Sequence, residues 1–562
     1  MSQTEKLTES TRDKKMDFDE IKTSLNKTNI PKEHYRAQQH LSLCQQTARA
    51  TVYALMKALN ILYVPIFIYR IFQKSKKCSA VIDPILRITA VDLARRIRLK
   101  EISCLEVTKT YINRIKEVNP LLNAVIDDRF DEALEDAKKV DALLVSSKDQ
   151  HAFERDFPLL GVPITIKGSL AVKGLKHSSG SIMRKDYIAE KDADVVALAR
   201  AAGAIPILVS NVPELCMSWE TTNKLIGTTN NPHDSTRTCG GSSGGEASLL
   251  ASAASLIGVG SDIAGSLRLP AHYCGVWGHK PTPGAVSFDG HYPSCIHRER
   301  WESIFTVGPM ARYASDMKTL LTVITKPEKR ATLNLDKKIN IKNIKVYYSD
   351  HKNYYWKEPN RYCRGAVRKV VEHLGNTTSF EPQEIDFHLS QHAPDLASFD
   401  ILCVKDIEDM FDGNGKGAYK ELTKYATFNS KHTFMLIICA LLRRGVMKCN
   451  QSEKLKAKTE EYINKIRKEY EDILGDDGVL VVPSFPIEAP KHGDVLRTAI
   501  YAGYLSVFNV LGFPVTNCPV GVTRDGLPIG VQIAAKKNGD NLTLTVAEEL
   551  ENAFGGWIEP RF

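Results

Sequence analysis

Short apolar runs that alternate with amphipathic stretches predict an α/β fold with parallel or mixed strand pairing. The alternation is clearest in the middle of the chain. Residues 161–166 read as a strand, 195–202 as a helix and 205–209 as a strand; a helix over 245–257 leads into a strand over 257–260. Composition agrees: 43% hydrophobic and 25% charged residues are globular values, far from those of disordered or collagen-like chains. No repeat of about 20–50 residues is visible, which excludes a solenoid. The chain has 562 residues, enough for three or four units at about 150 residues each, although some α/β folds run longer as one piece.

The remaining elements follow in order. Residues 84–130 read as an amphipathic pair of helices, with Leu93, Ile97, Leu99, Leu105, Val107, Tyr111 and Ile112 at helical spacing. A helix is expected over 132–144. Farther along, 342–348 is a strand candidate and 362–374 a helix. Residues 454–473 form an exposed, charged helix. Residues 479–483 and 527–533 read as buried strands, and a helix over 541–553 closes the chain.

Charge is uneven. The net +9 comes from 75 Lys/Arg and 66 Asp/Glu, and residues 1–80 hold 14 of the former and 7 of the latter. No carboxylate side chain occurs between Glu33 and Asp83. A basic surplus beside an apolar segment points to a membrane surface rather than to nucleic acid. Residues 1–47 read as a polar flexible tail and 48–80 as a membrane-anchor segment. Within it, 51–72 is about long enough to cross a bilayer. Tyr63 and Tyr69 suit an interfacial belt, and Arg70, Lys74, Lys76 and Lys77 follow. Lys57 is a defect in this run, but it lies near one end, from which its head can snorkel. The expectation is a single-pass N-terminal anchor in an internal membrane, with a helix lying on the bilayer as the alternative. A cleaved signal peptide is not expected, because the apolar run starts about 50 residues in.

The 12 cysteines include no Cys-x-x-Cys pair, and most lie in apolar runs. They read as reduced small hydrophobes, with no disulfide framework and no metal site.

Residues 238–268 hold two Gly/Ser turns around a small-residue helix and a short strand. The plainest reading is tight packing. A phosphate cradle fails, because no Gly-Lys-Ser/Thr ends the loop and no Gly-x-Gly-x-x-Gly opens the helix. A nucleophile elbow matches Gly240-Gly-Ser242-Ser-Gly244 formally, but a loop, not a strand, precedes it. A Ser–Ser–Lys system remains. Ser266 follows Asp262-Ile-Ala-Gly265, whose N–H groups suit an oxyanion hole. Lys167 ends a predicted strand, and a buried lysine kept neutral by desolvation can serve as base. Spacing alone does not separate that role from an ordinary edge lysine.

The stretch resembles the amidase signature: Gly240-Gly-Ser-Ser-Gly-Gly-Glu246, then Asp262-Ile-Ala-Gly-Ser-Leu-Arg268. The resemblance extends to Gly161-Val-Pro-Ile-Thr-Ile-Lys167, Asn211-Val-Pro-Glu214, 229–237, 278–284, Gly308-Pro-Met310, 509–515 and 526–532, so it spans about 84–560. The N-terminal segment and the 547–557 stretch look most like the branch of that family that hydrolyses fatty-acid amides. The resemblance implies the amidase-signature fold, a central mixed β-sheet surrounded by helices, as one catalytic domain over 84–560. It implies Ser266 as nucleophile, Ser242 on a cis peptide as the bridge, and Lys167 as base. Backbone N–H groups of Ile263, Ala264, Gly265 and Ser266 would hold the oxyanion, and Cys216, Met217 and Ser218 would line the site. No metal or organic cofactor is implied. Two departures show. Many relatives have Gly where Ala264 stands, and His272 and Tyr273 occupy positions that are often apolar or aromatic.

The reaction implied is hydrolysis of a fatty-acid amide to free acid and amine through an acyl-enzyme. Its partners are a lipid amide and a membrane, not nucleic acid, and the family's dimers allow a homodimer. The run 434–442 is too short to span a bilayer. It reads as a core helix or as a wall of the acyl channel, with Arg443 and Arg444 near lipid head groups. The competing readings are a broader amidase or esterase on non-lipid amides, a glutamine amidase, and a membrane-tethered binding protein without activity.

Overall fold

Residues 72–146, 150–295, 298–350, 358–385, 416–449 and 453–560 are described by a computed structural model. The predicted tail over 1–47 and residues 48–71 of the predicted anchor segment lie outside them. Among the described residues, no helix is long and apolar enough to cross a membrane.

An 11-stranded mixed sheet organises the chain. Its strands are β1 (Val125–Asp128), β2 (Pro163–Lys167), β3 (Ile205–Ser210), β4 (Ile257–Asp262), β5 (Trp277–Lys280), β6 (Thr306–Ala311), β7 (Lys345–Tyr348), β8 (Gln383–Glu384), β9 (Gly478–Pro483), β10 (Val515–Val522) and β11 (Pro528–Ala534). They lie in the order β1-β3-β2-β4-β6-β5-β10-β11-β9-β7-β8. β3, β2 and β4 run parallel, and β1 and β6 flank them antiparallel. All residues of β2, β3 and β4 are buried, which is why these strands read as continuous apolar runs rather than as alternating ones.

Helices cover the sheet: α1 (Ala90–Arg98), α2 (Cys104–Leu122), α3 (Phe130–Ser146), α4 (Asp194–Ala201), α5 (Gly244–Ala251), α6 (Arg268–Cys274), α7 (Ala314–Ile324), α8 (Arg361–Thr377), α9 (Phe434–Cys449), α10 (Glu453–Leu474), α11 (Gly503–Leu511) and α12 (Asp540–Phe554). Local chemistry sets their ends. Ser103 caps α2 by accepting from the Glu106 N–H, and Asn123, left-handed at φ 52°, stops it. The Asp316 carboxylate accepts the Ala90 and Val91 N–H groups at 2.8 and 3.1 Å. It satisfies two of the donors that every helix start leaves open.

Three differences from the sequence reading have physical causes. The end of 84–130 is strand β1, because the Asn123 cap breaks the helix and the Asn119 side chain takes the Ala124 N–H at 2.8 Å. α5 ends at Ala251, not at 257. Ala253 turns the chain at φ 61°, and the Ser255 hydroxyl then bonds the Thr165 hydroxyl. Strands β5, β6 and β10 went unread, because the Gly and Pro residues in them hide the strand pattern. The described cysteines are thiols. Burial pushes Cys78 and Cys104 up to about 12, so they behave as small apolar groups.

Candidate active site

The parallel pairing of β2 with β4 sets the location. Ile166 lies opposite Val259, so the carboxyl ends of the two strands share one edge of the sheet, where open α/β sheets place their ligands. Lys167 is the last residue of β2, and Ser261 and Asp262 are the last of β4. The turn before α5 enters the same space. Its Gly241–Ser242 peptide is cis. Position 241 needs glycine, since a Cβ there would lie 2.5 Å from the Ser218 carbonyl oxygen. The Ser243 N–H donates to the Ser266 carbonyl at 3.2 Å, which holds the two Gly/Ser turns side by side.

Lys167 is fully buried. Its Nζ lies 2.7 Å from Ser242 Oγ, 2.8 Å from Ser261 Oγ and 3.4 Å from the Ser261 carbonyl oxygen. Burial holds its pKa below that of an ordinary lysine, against the weaker opposite pull of nearby acidic groups that include Asp262 and Glu246. Burial also pushes Glu246 up to about 7, although its carboxyl accepts from the Thr165 hydroxyl at 2.6 Å. Ser242 and Ser266 are both buried. Among the described residues, none hydrogen-bonds to the Ser266 hydroxyl.

The turn leading to Ser266 is built around Asp262. Its Oδ1 accepts the Gly265 N–H at 2.8 Å, and its Oδ2 accepts the Leu267 N–H at 3.0 Å. Gly265 sits at φ 97°. The Gly265 N–H is held by Asp262, whereas those of Ile263, Ala264 and Ser266 are bound by no described acceptor. Ile263 and Ala264 are only half-buried.

Asp262 also pairs with Arg268 at 3.0 Å, both side chains fully buried. Burial alone would raise the Asp262 carboxyl, but the guanidinium and the hydrogen bonds around it hold it well below the usual carboxylate range. Arg268 donates further to Gln532 Oε1 and Asn509 Oδ1, each at 2.7 Å. This gives two of the sequence motifs their purpose: 509–515 and 526–532 supply the groups that satisfy the arginine.

Cys216, Met217 and Ser218 form a half-buried turn beside the site. Leu215 and Cys216 are left-handed, at φ 52° and 60°. Glu214 anchors the turn, accepting the Thr433 N–H at 2.7 Å and meeting His432 Nδ1 at 2.8 Å. The Cys439 thiol donates to the Met217 carbonyl at 3.6 Å. The apolar helix α9 is thereby docked on the turn, with Leu436, Ile437 and Ala440 buried in the core. His272 and Tyr273 are fully buried in α6. The His272 ring meets the Ile487 carbonyl at 3.1 Å, and Tyr273 packs edge-on against Phe485 with ring centres 5.8 Å apart.

The sequence reading missed Ser261 and His291. Ser261 Oγ touches both Lys167 Nζ and His291 Nε2, the latter at 3.2 Å. A polar residue at the end of a buried strand is a usable signal for Ser261. His291 lies in a loop with no pattern that marks it.

The family model for amidases matches residues 106–544. Human fatty-acid amide hydrolase 2 (Homo sapiens) is 39% identical over 500 residues, covering 86% of this chain and 92% of that protein. Fatty-acid amide hydrolase 2-B of Danio rerio is 38% identical over 501 residues, covering 87% and 93%. A solved structure of a fatty acid amide hydrolase superposes with a TM-score of 0.69 at 21% identity, covering 85% of this chain and 86% of that one; this likeness concerns the fold.

Proposed function

The chain belongs to the amidase family, whose members are amide-hydrolysing serine enzymes, and we propose that it hydrolyses fatty-acid amides through a Ser266–Ser242–Lys167 triad. The observation that carries the triad is the buried Lys167 Nζ at 2.7 Å from Ser242 Oγ, with the next residue, Ser243, donating its N–H to the Ser266 carbonyl at 3.2 Å. Neutral Lys167 takes the Ser242 proton, Ser242 takes the Ser266 proton, and Ser266 Oγ attacks the amide carbonyl. The oxyanion meets the open N–H groups of Ile263, Ala264 and Ser266. In such sites, loss of one donor typically costs about 10²–10³ in rate. The relayed proton returns through Ser242 to the leaving amine as the carbon–nitrogen bond breaks. Water then adds to the acyl ester by the same route, releasing the acid and restoring the Ser266 hydroxyl.

The lipid substrate is supported by the names of the relatives and by the apolar helix α9 beside the Cys216–Ser218 turn. The run over 51–72, with its basic flank, supports membrane association of the N-terminal segment. The test is a series of primary amides from acetamide to a long-chain fatty amide, with Ser266→Ala as control. The proposal predicts a kcat/KM that climbs with chain length and vanishes in Ser266→Ala. Equal or better turnover of the short amides would replace the lipid reading with a broader amidase.

A further inference from the structure

His291 lies outside the triad, yet it is joined to it. The loop that carries it is pinned to the segment after Lys167. Leu170 and His291 form an isolated β-bridge, and the Tyr292 N–H donates to the Ser169 carbonyl at 2.8 Å. The ring is buried against Phe305, with ring centres 4.7 Å apart. Its two nitrogens have different partners: Nδ1 lies 3.0 Å from the Pro293 carbonyl oxygen, and Nε2 lies 3.2 Å from Ser261 Oγ.

These contacts fix every proton in the chain. A carbonyl only accepts, so the hydrogen is on Nδ1, and neutral His291 presents a bare lone pair at Nε2. The Ser261 hydroxyl therefore donates to Nε2 and has only lone pairs left for Lys167. A neutral amine has two hydrogens and one lone pair. Its hydrogens go to Ser261 Oγ at 2.8 Å and to the Ser261 carbonyl at 3.4 Å. The lone pair then faces the third neighbour, Ser242 Oγ, at 2.7 Å. Without an acceptor at position 291, the Ser261 hydroxyl is free to turn and donate to Lys167, competing with Ser242 for the same lone pair.

We propose that His291 is a positioning residue that orients the Ser261 hydroxyl and so aims the Lys167 lone pair at Ser242. The inference rests on the Ser–Ser–Lys reading. Burial by itself lowers the His291 pKa, which agrees with a ring that stays neutral beside a neutral Lys167.

The experiment compares steady-state amide hydrolysis in His291→Leu, His291→Gln and Ser261→Ala with the parent enzyme, beside fluorophosphonate labelling of Lys167→Ala. His291→Leu should lower kcat about tenfold at nearly unchanged KM, the loss of one neutral hydrogen bond. Glutamine offers one acceptor and one donor, so His291→Gln should recover most of kcat. Adding His291→Leu to Ser261→Ala should bring no further loss, because both break one chain. Imidazole nitrogen NMR of the parent enzyme, assigned by the signals lost in His291→Gln, should show Nδ1 protonated and Nε2 bare; this readout stands even if His291→Leu does not fold. An Nε2-protonated ring, a His291→Leu enzyme with parental kcat, or a glutamine variant no better than leucine would overturn the inference. If Lys167→Ala labels Ser266 at the parental rate, the triad itself fails; if only the His291 results fail, the triad stands.

Discussion

Among the described residues, two lysines, Lys167 and Lys280, are buried at the heart of the molecule, and their surroundings differ. Lys280 donates to the Pro281 carbonyl at 3.2 Å, and burial lowers it to about 7. Lys167 instead has hydroxyls on both sides, one of them Ser242. A lysine is a base only when neutral, and burial shifts that balance in the required direction. The sign follows directly. Protonation of Lys167 removes the acceptor for the Ser242 proton, so kcat/KM falls as the pH drops through the lowered lysine pKa. The expected profile has an acid limb below the roughly 10.4 of a free lysine, and activity is flat above it. A rate that keeps rising to the range of an ordinary lysine would show that the base is solvated or is another group.

The elements around the site are set by close approaches as much as by hydrogen bonds. The Asp262–Arg268 turn places Gly265 at φ 97°, and a Cβ there would lie 2.5 Å from Leu505 Cδ1 on α11. Gly265→Ala should therefore destabilise the protein by about 1–3 kcal/mol and depress acylation of Ser266 more than substrate binding. Thermal unfolding and single-turnover kinetics check the two parts. Gly265→Ala/Leu505→Ala should be no more stable than Gly265→Ala, because Leu505 Cβ, which alanine keeps, would also lie 2.6 Å from the added Cβ and the truncation opens a cavity. An alanine enzyme with parental acylation would mean that this turn does not shape the oxyanion site.

The same elements show what a sequence discloses. Ser242 and Ser266 stood out because each sits in a Gly/Ser turn, and Lys167 because it ends a buried strand, but it was the family motif, not spacing, that joined the three. Strands β2, β3 and β4 were legible because buried parallel strands are continuous apolar runs. The role of the Gly265 N–H was not, since it depends on where the Asp262 side chain turns. Nor was Ser261–His291, a contact between residues 30 positions apart that only the strand register and the loop tie after β2 bring together.

At the scale of the whole molecule, the sheet and the site are one construction. Arg268 joins the end of β4 to α11 through Asn509 and to β11 through Gln532, so residues about 240 to 265 positions apart in sequence meet in one buried network. The carboxyl edge of the parallel strands supplies Lys167 and Ser261, and the turns before α5 and α6 supply Ser242 and Ser266. The central claim is that this meeting point makes Ser266 a nucleophile and Lys167 its activator. The most direct measurement is the rate and position of fluorophosphonate labelling in the parent enzyme, Ser266→Ala and Lys167→Ala, with the adduct located by mass spectrometry. The account predicts one adduct on Ser266, none in Ser266→Ala, and labelling slowed by at least about 10² in a folded Lys167→Ala protein, within the range that general-base assistance typically contributes. A folded parent protein that takes no label, or labelling of Ser266 that does not depend on Lys167, would contradict it.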